Sequence, residues 1–405
     1  MTSNSLRKEV RRRLYVFANS WGRLVSDTRR QSFLREMIAG LVIANHVHLT
    51  KIARAVGSGT TNVQAAVKRL SRHLDSPHWS MRPLQEKLLH EVAVMIGEDS
   101  LIVADLTDIA KHYARRLEGL GRVRDGSDPQ KGTVAGYMLF EAYLRGGRWQ
   151  LFPLILTPLQ TYSGAATSEN QEILGYFREI HQATGGRGTW VLDRGFDRAE
   201  LLLAMLEMSM GFIVRQRGDR HILTRQGRQM SVWQCATEAL ERERPGRWPA
   251  QGWIATEPVA LPEAPEEELL LVAYWALPHQ EPLMLLVSPA ARRTGRTGRW
   301  FVRSYRKRWG SEDATRGIKQ CFQVEAFLVR SWRSICRLML LVALAFYWLN
   351  LWGNQGYEHL RAPLMNHPWR IAKRVTYLFN GLATQIGRIL HPKPKIFPLG
   401  YSDTG

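Results

Sequence analysis

Two short apolar runs, SLIVAD ending at Asp105 and TWVLD ending at Asp193, do most to constrain the fold of this chain. Brief β-branched runs bounded by polar residues suit strands that are buried in a sheet. Each run closes on a carboxylate, so a charged group stands where the strand leaves the core. Around them the texture alternates. Residues 131–159 read as two strands joined by a turn at Arg145 to Arg148. A helix is expected between a Ser168 start and a Gly185 stop, with Glu169 and Glu172 well placed in its first turn. Another follows from Arg198 to about Ser209, then the strand GFIVRQR. The expected core is therefore α/β.

Residues 1–95 read differently, as basic helices. The clearest piece runs from His48 to Leu74: a helix over Thr50 to Val56, a turn with Gly57 and Gly59, and a second helix opening after Thr60 or Thr61. This pattern resembles a helix-turn-helix whose second helix presents Asn62, Gln64, Lys68, Arg69 and Arg72 to DNA. The plain structural alternative is a helical hairpin in a bundle. Over 405 residues the formal charge is +20 and the pI near 10.3. Basic residues recur from Arg7 to Arg388, a distribution that favours a polyanionic partner across the whole surface. Charge alone also fits a ribosome-associated protein or one that binds anionic membranes.

Cys235, Cys321 and Cys336 show no CxxC or Cys/His spacing, which argues against a structural zinc or a disulfide framework and fits a reducing cytoplasm. The N-terminus is basic without the apolar stretch and cleavage site of a secretory signal, so no export is expected. The longest uncharged apolar run, Leu338 to Trp352, is shorter than the ~20 residues a membrane span needs. We expect a buried core helix, with Trp348 and Trp352 packed inside, and no membrane partner.

The division expected is a helical DNA-binding domain at 1–95, leaving at Pro77 to Pro83; a first part of the core at 96–217; a β-rich insertion at 218–298; a second part of the core at 299–362; and a basic C-terminal helix and tail at 363–405. The insertion is inferred from the strand-like pieces HILTR, SVWQC, GWIATEPVAL, ELLLVAYWAL and PLMLLVS. In the tail, Lys373, Arg374 and Arg388 either touch DNA or solvate a surface.

A third acid, Glu312, lies on a probable helix within YRKRWGSEDATRGIK, Tyr305 to Lys319. At helical spacing Arg308, Glu312, Thr315 and Lys319 fall near one face. Taken alone, such a helix reads first as a solvated one laced with salt bridges. Together with Asp105 and Asp193 it gives the layout of a two-metal phosphoryl-transfer site, in which carboxylates share ions ~3.5–4 Å apart. Oxygen ligands without thiolate or clustered His favour Mg2+, with Mn2+ able to substitute. Asp108 competes with Asp105 for the first position. Asp197 reads as a helix cap boxed with Glu200, which leaves Asp193 for the metal. Asp125 and Asp128 fall in a loop where turn chemistry suffices.

With Asp105, Asp193 in WVLDRGF, and the spacing Tyr305, two residues, Arg308, three residues, Glu312, six residues, Lys319, the chain resembles bacterial DDE transposases of the insertion-sequence-four group, relatives of the transposon-five transposase. The resemblance covers about residues 100–350. It implies an RNase H-like core, a mixed sheet flanked by helices, interrupted by a β-rich insertion. It also implies that Asp105, Asp193 and Glu312 are the catalytic metal ligands for cleavage at terminal inverted repeats and 3′-OH strand transfer into target DNA. Tyr305, Arg308 and Lys319 would grip phosphates of the transposon end, with Arg194 and Trp309 as further DNA contacts. Trp253, Trp275 and Trp300 are candidates for stacking a flipped base. A homodimer on DNA is implied too. Two other readings are a transposase-derived repressor without catalysis and another RNase H-like nuclease such as a junction resolvase.

Overall fold

The computed structural model of the protein describes residues 3–57, 62–124, 132–147, 150–160, 168–243, 252–276, 281–293, 295–352, 359–360 and 375–390, with the backbone alone at 309–314, 316 and 375–380. Five helices come first: α1 (Ser3–Gly22), α2 (Thr28–Ala44), α3 (Leu49–Val56), α4 (Val63–Asp75) and α5 (Arg82–Ala93). Their ends follow local chemistry. Asp27 caps α2 by accepting from the Arg30 N–H, and Asn45 closes it in the left-handed conformation. These helices do not stand apart from the rest. Trp21, Phe33 and Leu74 share one continuous apolar core with residues of the sheet and of a long C-terminal helix.

The strands are β1 (Leu101–Ala110), β2 (Gly121–Arg124), β3 (Thr133–Arg145), β4 (Leu151–Pro158), β5 (Thr189–Leu192), β6 (Phe212–Arg215), β7 (His221–Thr224), β8 (Gln229–Ser231), β9 (Trp253–Leu261), β10 (Ala264–Trp275) and β11 (Leu283–Val287). They form one mixed sheet in the order β2-β3-β1-β5-β6-β11-β10-β9-β7-β8, with β4 also paired to β3. β1 is antiparallel to β3 and parallel to β5, and β5 is parallel to β6. The crossover from β4 to β5 runs through α6 (Glu169–Thr184), which Ser168 opens with a capping box and Gly185 closes at φ +59. α7 (Ala199–Glu207) links β5 to β6. The boundaries inferred for α6, β5, α7 and β6 hold to within a residue or two.

Between residues 218 and 298 the described strands are β7 to β11, and they do not fold as a sheet of their own. β11 pairs antiparallel with β6, so the segment extends the core sheet outward. One piece is corrected: SVWQC is not a strand but opens α8 (Val232–Arg242). Ser231 and Gln234 form a reciprocal capping box there, and the local caps outweigh the β-leaning Val and Trp.

After the sheet come α9 (Gly298–Arg306), α10 (Trp309–Phe322), α11 (Trp332–Leu351) and α12 (Val375–Leu390). α11 is long and apolar enough to cross a membrane, but it is 89% buried inside the fold. Trp348 and Trp352 sit in the core with rings 5.3 Å apart, as the helical spacing suggested. α12 is more than a basic tail, because Leu382, Ala383 and Ile386 are buried in the main core while Arg388 is exposed. Lys373 and Arg374 lie outside the described residues.

Candidate active site

Strand β1 continues past the apolar run to Ala110, so Asp105 lies within the strand instead of at its end. What ends there is the parallel ladder. β5 pairs with β1 only from Leu101 to Val103, the last pair being Val103 with Val191. Asp193 keeps an extended backbone, with φ −82 and ψ −179, so two residues beyond that pair Asp105 stands level with Asp193. Side chains alternate along a strand, so both carboxylates fall on the face of Leu101, Val103 and Val191. Those three residues form a second apolar cluster with Phe301, Val302 and Tyr305 of α9. The face that seats α9 thus continues into the two aspartates.

Each aspartate is held by its own backbone. Asp105 Oδ1 accepts from the Leu106 N–H at 2.9 Å, and Asp193 Oδ1 accepts from the Gly195 N–H at 2.8 Å, opening a 3₁₀ turn over Arg194–Phe196. Asp197 has a structural role, though not the expected one. α7 is capped by Arg198 without a side-chain bond, while Asp197 is buried, accepts from the Arg217 N–H at 2.7 Å and pairs with Arg220. Burial raises its carboxyl above the ordinary range, opposed by the Arg217 N–H and the Arg220 charge.

Helix α10 packs against β1 and is fastened to β1 and β3 along its length. At its start Arg308 Nη1 donates to Asp105 Oδ2 at 3.2 Å. Further along, Thr315 donates to Glu141 Oε1, and Lys319 Nζ lies 3.9 Å from Asp108 Oδ2. Asp108, three residues beyond Asp105 on β1, is thus reached by the same helix through Lys319. Glu312 lies on α10 between Arg308 and Thr315; its side chain, like that of Trp309, is outside the described residues. Among the described residues no group of three or more His, Cys, Asp or Glu side chains is arranged to hold a metal. Asp105 and Asp193 are a matched pair of hard oxygen donors, and their chemistry suits Mg2+ or Mn2+.

Glu141 is the residue that the sequence did not single out. It pairs directly with Asp105 across β1 and β3, is 1% exposed, and accepts from the Tyr143 hydroxyl at 2.8 Å as well as from Thr315. Burial, reinforced by the charge of Asp105, pushes its carboxyl up to about 8. A lone Glu inside MLFEAYL is a signal only once its strand partner is known.

The expected DNA contacts divide into two kinds. Arg194, Lys68 and Arg72 are exposed, as are Gln64 and Asn62, although Asn62 is engaged as the cap of α4, accepting from the Gln64 and Ala65 N–H groups. Lys319 is partly exposed and lies 3.3 Å from Glu325. Others serve the fold. Arg69 makes a two-pronged pair with Glu36 of α2, Tyr305 is 3% exposed in the second cluster, and Arg308 is 6% exposed on Asp105. Among the three stacking candidates, Trp253 is buried at 5% while Trp275 and Trp300 are partly exposed. Trp233 on α8, hidden from sequence reading by the strand assignment, is 41% exposed.

Residues 167–348 match the family model of the transposase DDE domain, a span that takes in Asp193, Glu312 and Lys319 and leaves Asp105 upstream. No curated protein matches the chain. Among solved structures, the cryo-EM structure of the piggyBac transposase synaptic complex with hairpin DNA is similar at 14% identity and a TM-score of 0.46, over 94% of this chain and 78% of that one. The matched span runs from the start of α6 through β5, the sheet extension and α10 into α11.

Proposed function

We propose that the protein is a metal-dependent DDE transposase that cuts DNA at terminal inverted repeats and joins the freed 3′-OH to a target strand. The reading rests on one juxtaposition above all: Asp105 on β1 and Asp193 just past the end of β5 each lie two residues beyond the last β1–β5 pair, and the helix that carries Glu312 is tied to β1 by the Arg308 bond to Asp105 and to β3 by the Thr315 bond to Glu141. The strand order β4-β3-β1-β5-β6, antiparallel up to β1 and parallel beyond it, supports an RNase H-like core. The domain match supports the same class.

In this reading Asp105, Asp193 and Glu312 hold the cations. Two bound Mg2+ ions would supply an activated water and offset charge on the leaving oxygen. The protein's part is placement. Backbone N–H bonds from Leu106 and Gly195 fix one oxygen of each aspartate and leave the other to ligate or pair. Arg308 supplies the positive charge that steadies Asp105 until a cation and a DNA phosphate arrive. Lys319 and the exposed Arg194 offer charge to the incoming backbone, while α4, with Lys68 and Arg72 exposed, is the proposed sequence reader. A homodimer that cuts in trans belongs to the same proposal.

The test is incubation of the wild-type protein with the inverted repeats that flank its reading frame, in Mg2+ or Mn2+. Cleavage at the repeat boundary followed by joining is expected, and Glu312→Ala should abolish cutting while sparing binding. Bound yet uncut wild-type substrate would overturn the enzymatic reading.

A further inference from the structure

Beyond the carboxylates, β1 runs on into a cleft of about 820 Å³ walled by residues 110–117 on one side and 323–330 on the other, with Lys319 of α10 between them. Two groups of side chains line it, and they behave differently. One group builds the walls. Lys111 is buried and donates to the carbonyls of Glu325 and Phe327, at 2.5 and 2.8 Å, with its ammonium over the Phe327 ring. Glu118 donates its N–H to the Arg330 carbonyl, accepts from the Trp332 N–H through its carboxylate, and accepts the Tyr137 hydroxyl at its own carbonyl. These bonds lace the two loops together, so the cleft is formed before anything binds.

The other group takes no part in that lacing. Tyr113 is 97% exposed, and Arg115, Arg116 and Arg330 are exposed around the same opening. A phenol ring this exposed, with the His112 ring 6.3 Å away, adds little to the core, and three guanidinium groups at one opening make a strong local positive potential. The acid in the cleft, Glu325, lies 3.3 Å from Lys319 and is offset by it. An aromatic platform among cations is the construction that binds an unpaired nucleic-acid strand, with a base stacked on the ring and phosphates on the arginines.

Its position follows from the fold. Asp105 and Lys111 are six residues apart on one extended segment, roughly 20 Å at strand rise, so the cleft lies a few nucleotides from the carboxylates. We propose that this cleft is a binding site for single-stranded DNA, in which Tyr113 stacks an unpaired base and Arg115, Arg116 and Arg330 hold the adjoining phosphates. The proposal rests on the transposase reading for its setting, since strand opening beside a cleavage site supplies the unpaired nucleotides.

The experiment measures binding of fluorescein-labelled dT12 and of a 20-base-pair duplex of arbitrary sequence by anisotropy in EDTA, from about 50 to 200 mM salt. Stacking is worth about 1–3 kcal/mol per base, so Tyr113→Ala should weaken dT12 binding by roughly 5- to 150-fold and leave the duplex within about twofold. Tyr113→Trp should restore it. Arg115→Ala and Arg116→Ala should each lower the single-strand salt slope by about 0.7. With Tyr113 so exposed, circular dichroism of Tyr113→Ala should match the wild type. Unchanged dT12 affinity in Tyr113→Ala, or equal losses on dT12 and duplex, would overturn the cleft proposal alone. Failure of the wild-type protein to bind either DNA would instead overturn the transposase reading.

Discussion

Arg308 reaches across 203 residues of sequence to place Nη1 3.2 Å from Asp105 Oδ2, and both side chains are largely buried, at 8% and 18% exposure. A guanidinium is thus seated against Asp105, and in the proposed reading it and a divalent ion would compete for the same oxygen. Arg308→Gln keeps a hydrogen-bond donor and removes the charge. Mn2+ binding, followed by electron paramagnetic resonance, should tighten by roughly tenfold, on the order of 1 kcal/mol of relieved repulsion. Binding that is unchanged or weaker would show that Arg308 does not oppose the metal.

The Thr315 hydroxyl and the Glu141 carboxylate fasten α10 to β3 three residues beyond Glu312. Thr315→Val leaves the buried Glu141 carboxyl short of one hydrogen-bond partner and should lower stability by about 1–3 kcal/mol, whereas Thr315→Ser should stay within about 1 kcal/mol. Urea unfolding midpoints with matched m-values measure both. Equal losses in Val and Ser would point to packing rather than to the bond.

Glu141 also gives the fold a pH dependence of defined sign. Its carboxyl ionises near 4.5 in the unfolded chain and near 8 when folded, because burial and the Asp105 charge disfavour the anion. Between those values the folded protein holds the extra proton, so its stability falls as pH rises from about 4.5 to 8 and levels off above. Glu141→Gln, which has no proton to lose, should flatten that part of the curve in urea titrations run with EDTA. A slope of the same size in the variant would assign it to other groups.

Much of this was legible in the sequence, and the limits have a physical pattern. β1 and β5 were found because local apolar runs mark buried strands, and α6 was found from Ser168 and Gly185 because caps are local signals. Glu141 was missed because its meaning lies in a pairing with Asp105 that joins two separate strands. The start of α8 was misread because Val232 and Trp233 lean towards strand, although Ser231 and Gln234 spelled a capping box. Arg69 and Tyr305 resembled surface contacts until Glu36 and the second apolar cluster claimed them.

Arg337 ties the proposed DNA reader to the core. From α11 it donates to the carbonyls of His73, Leu74, Ser76 and Trp79, and its guanidinium lies 4.7 Å from the Trp79 ring centroid, so it grips the C-terminal end of α4. Arg337→Lys cannot reproduce a planar fork over four acceptors. It should cost about 2–4 kcal/mol in urea unfolding and speed hydrogen exchange in α4 more than in β1. Uniform exchange across both elements would show that the clamp is not local.

The central claim is that three acids far apart in sequence meet at one cation site, and Fe2+-directed cleavage of the polypeptide tests it most directly. With Fe2+ in place of Mg2+, ascorbate and peroxide generate radicals that cut the backbone beside the bound ion. Fragments mapped by mass spectrometry should end near Asp105, Asp193 and Glu312 together, and Asp193→Asn should suppress all three sets. Cuts at only one of these positions, or the same cuts in Asp193→Asn, would contradict the account.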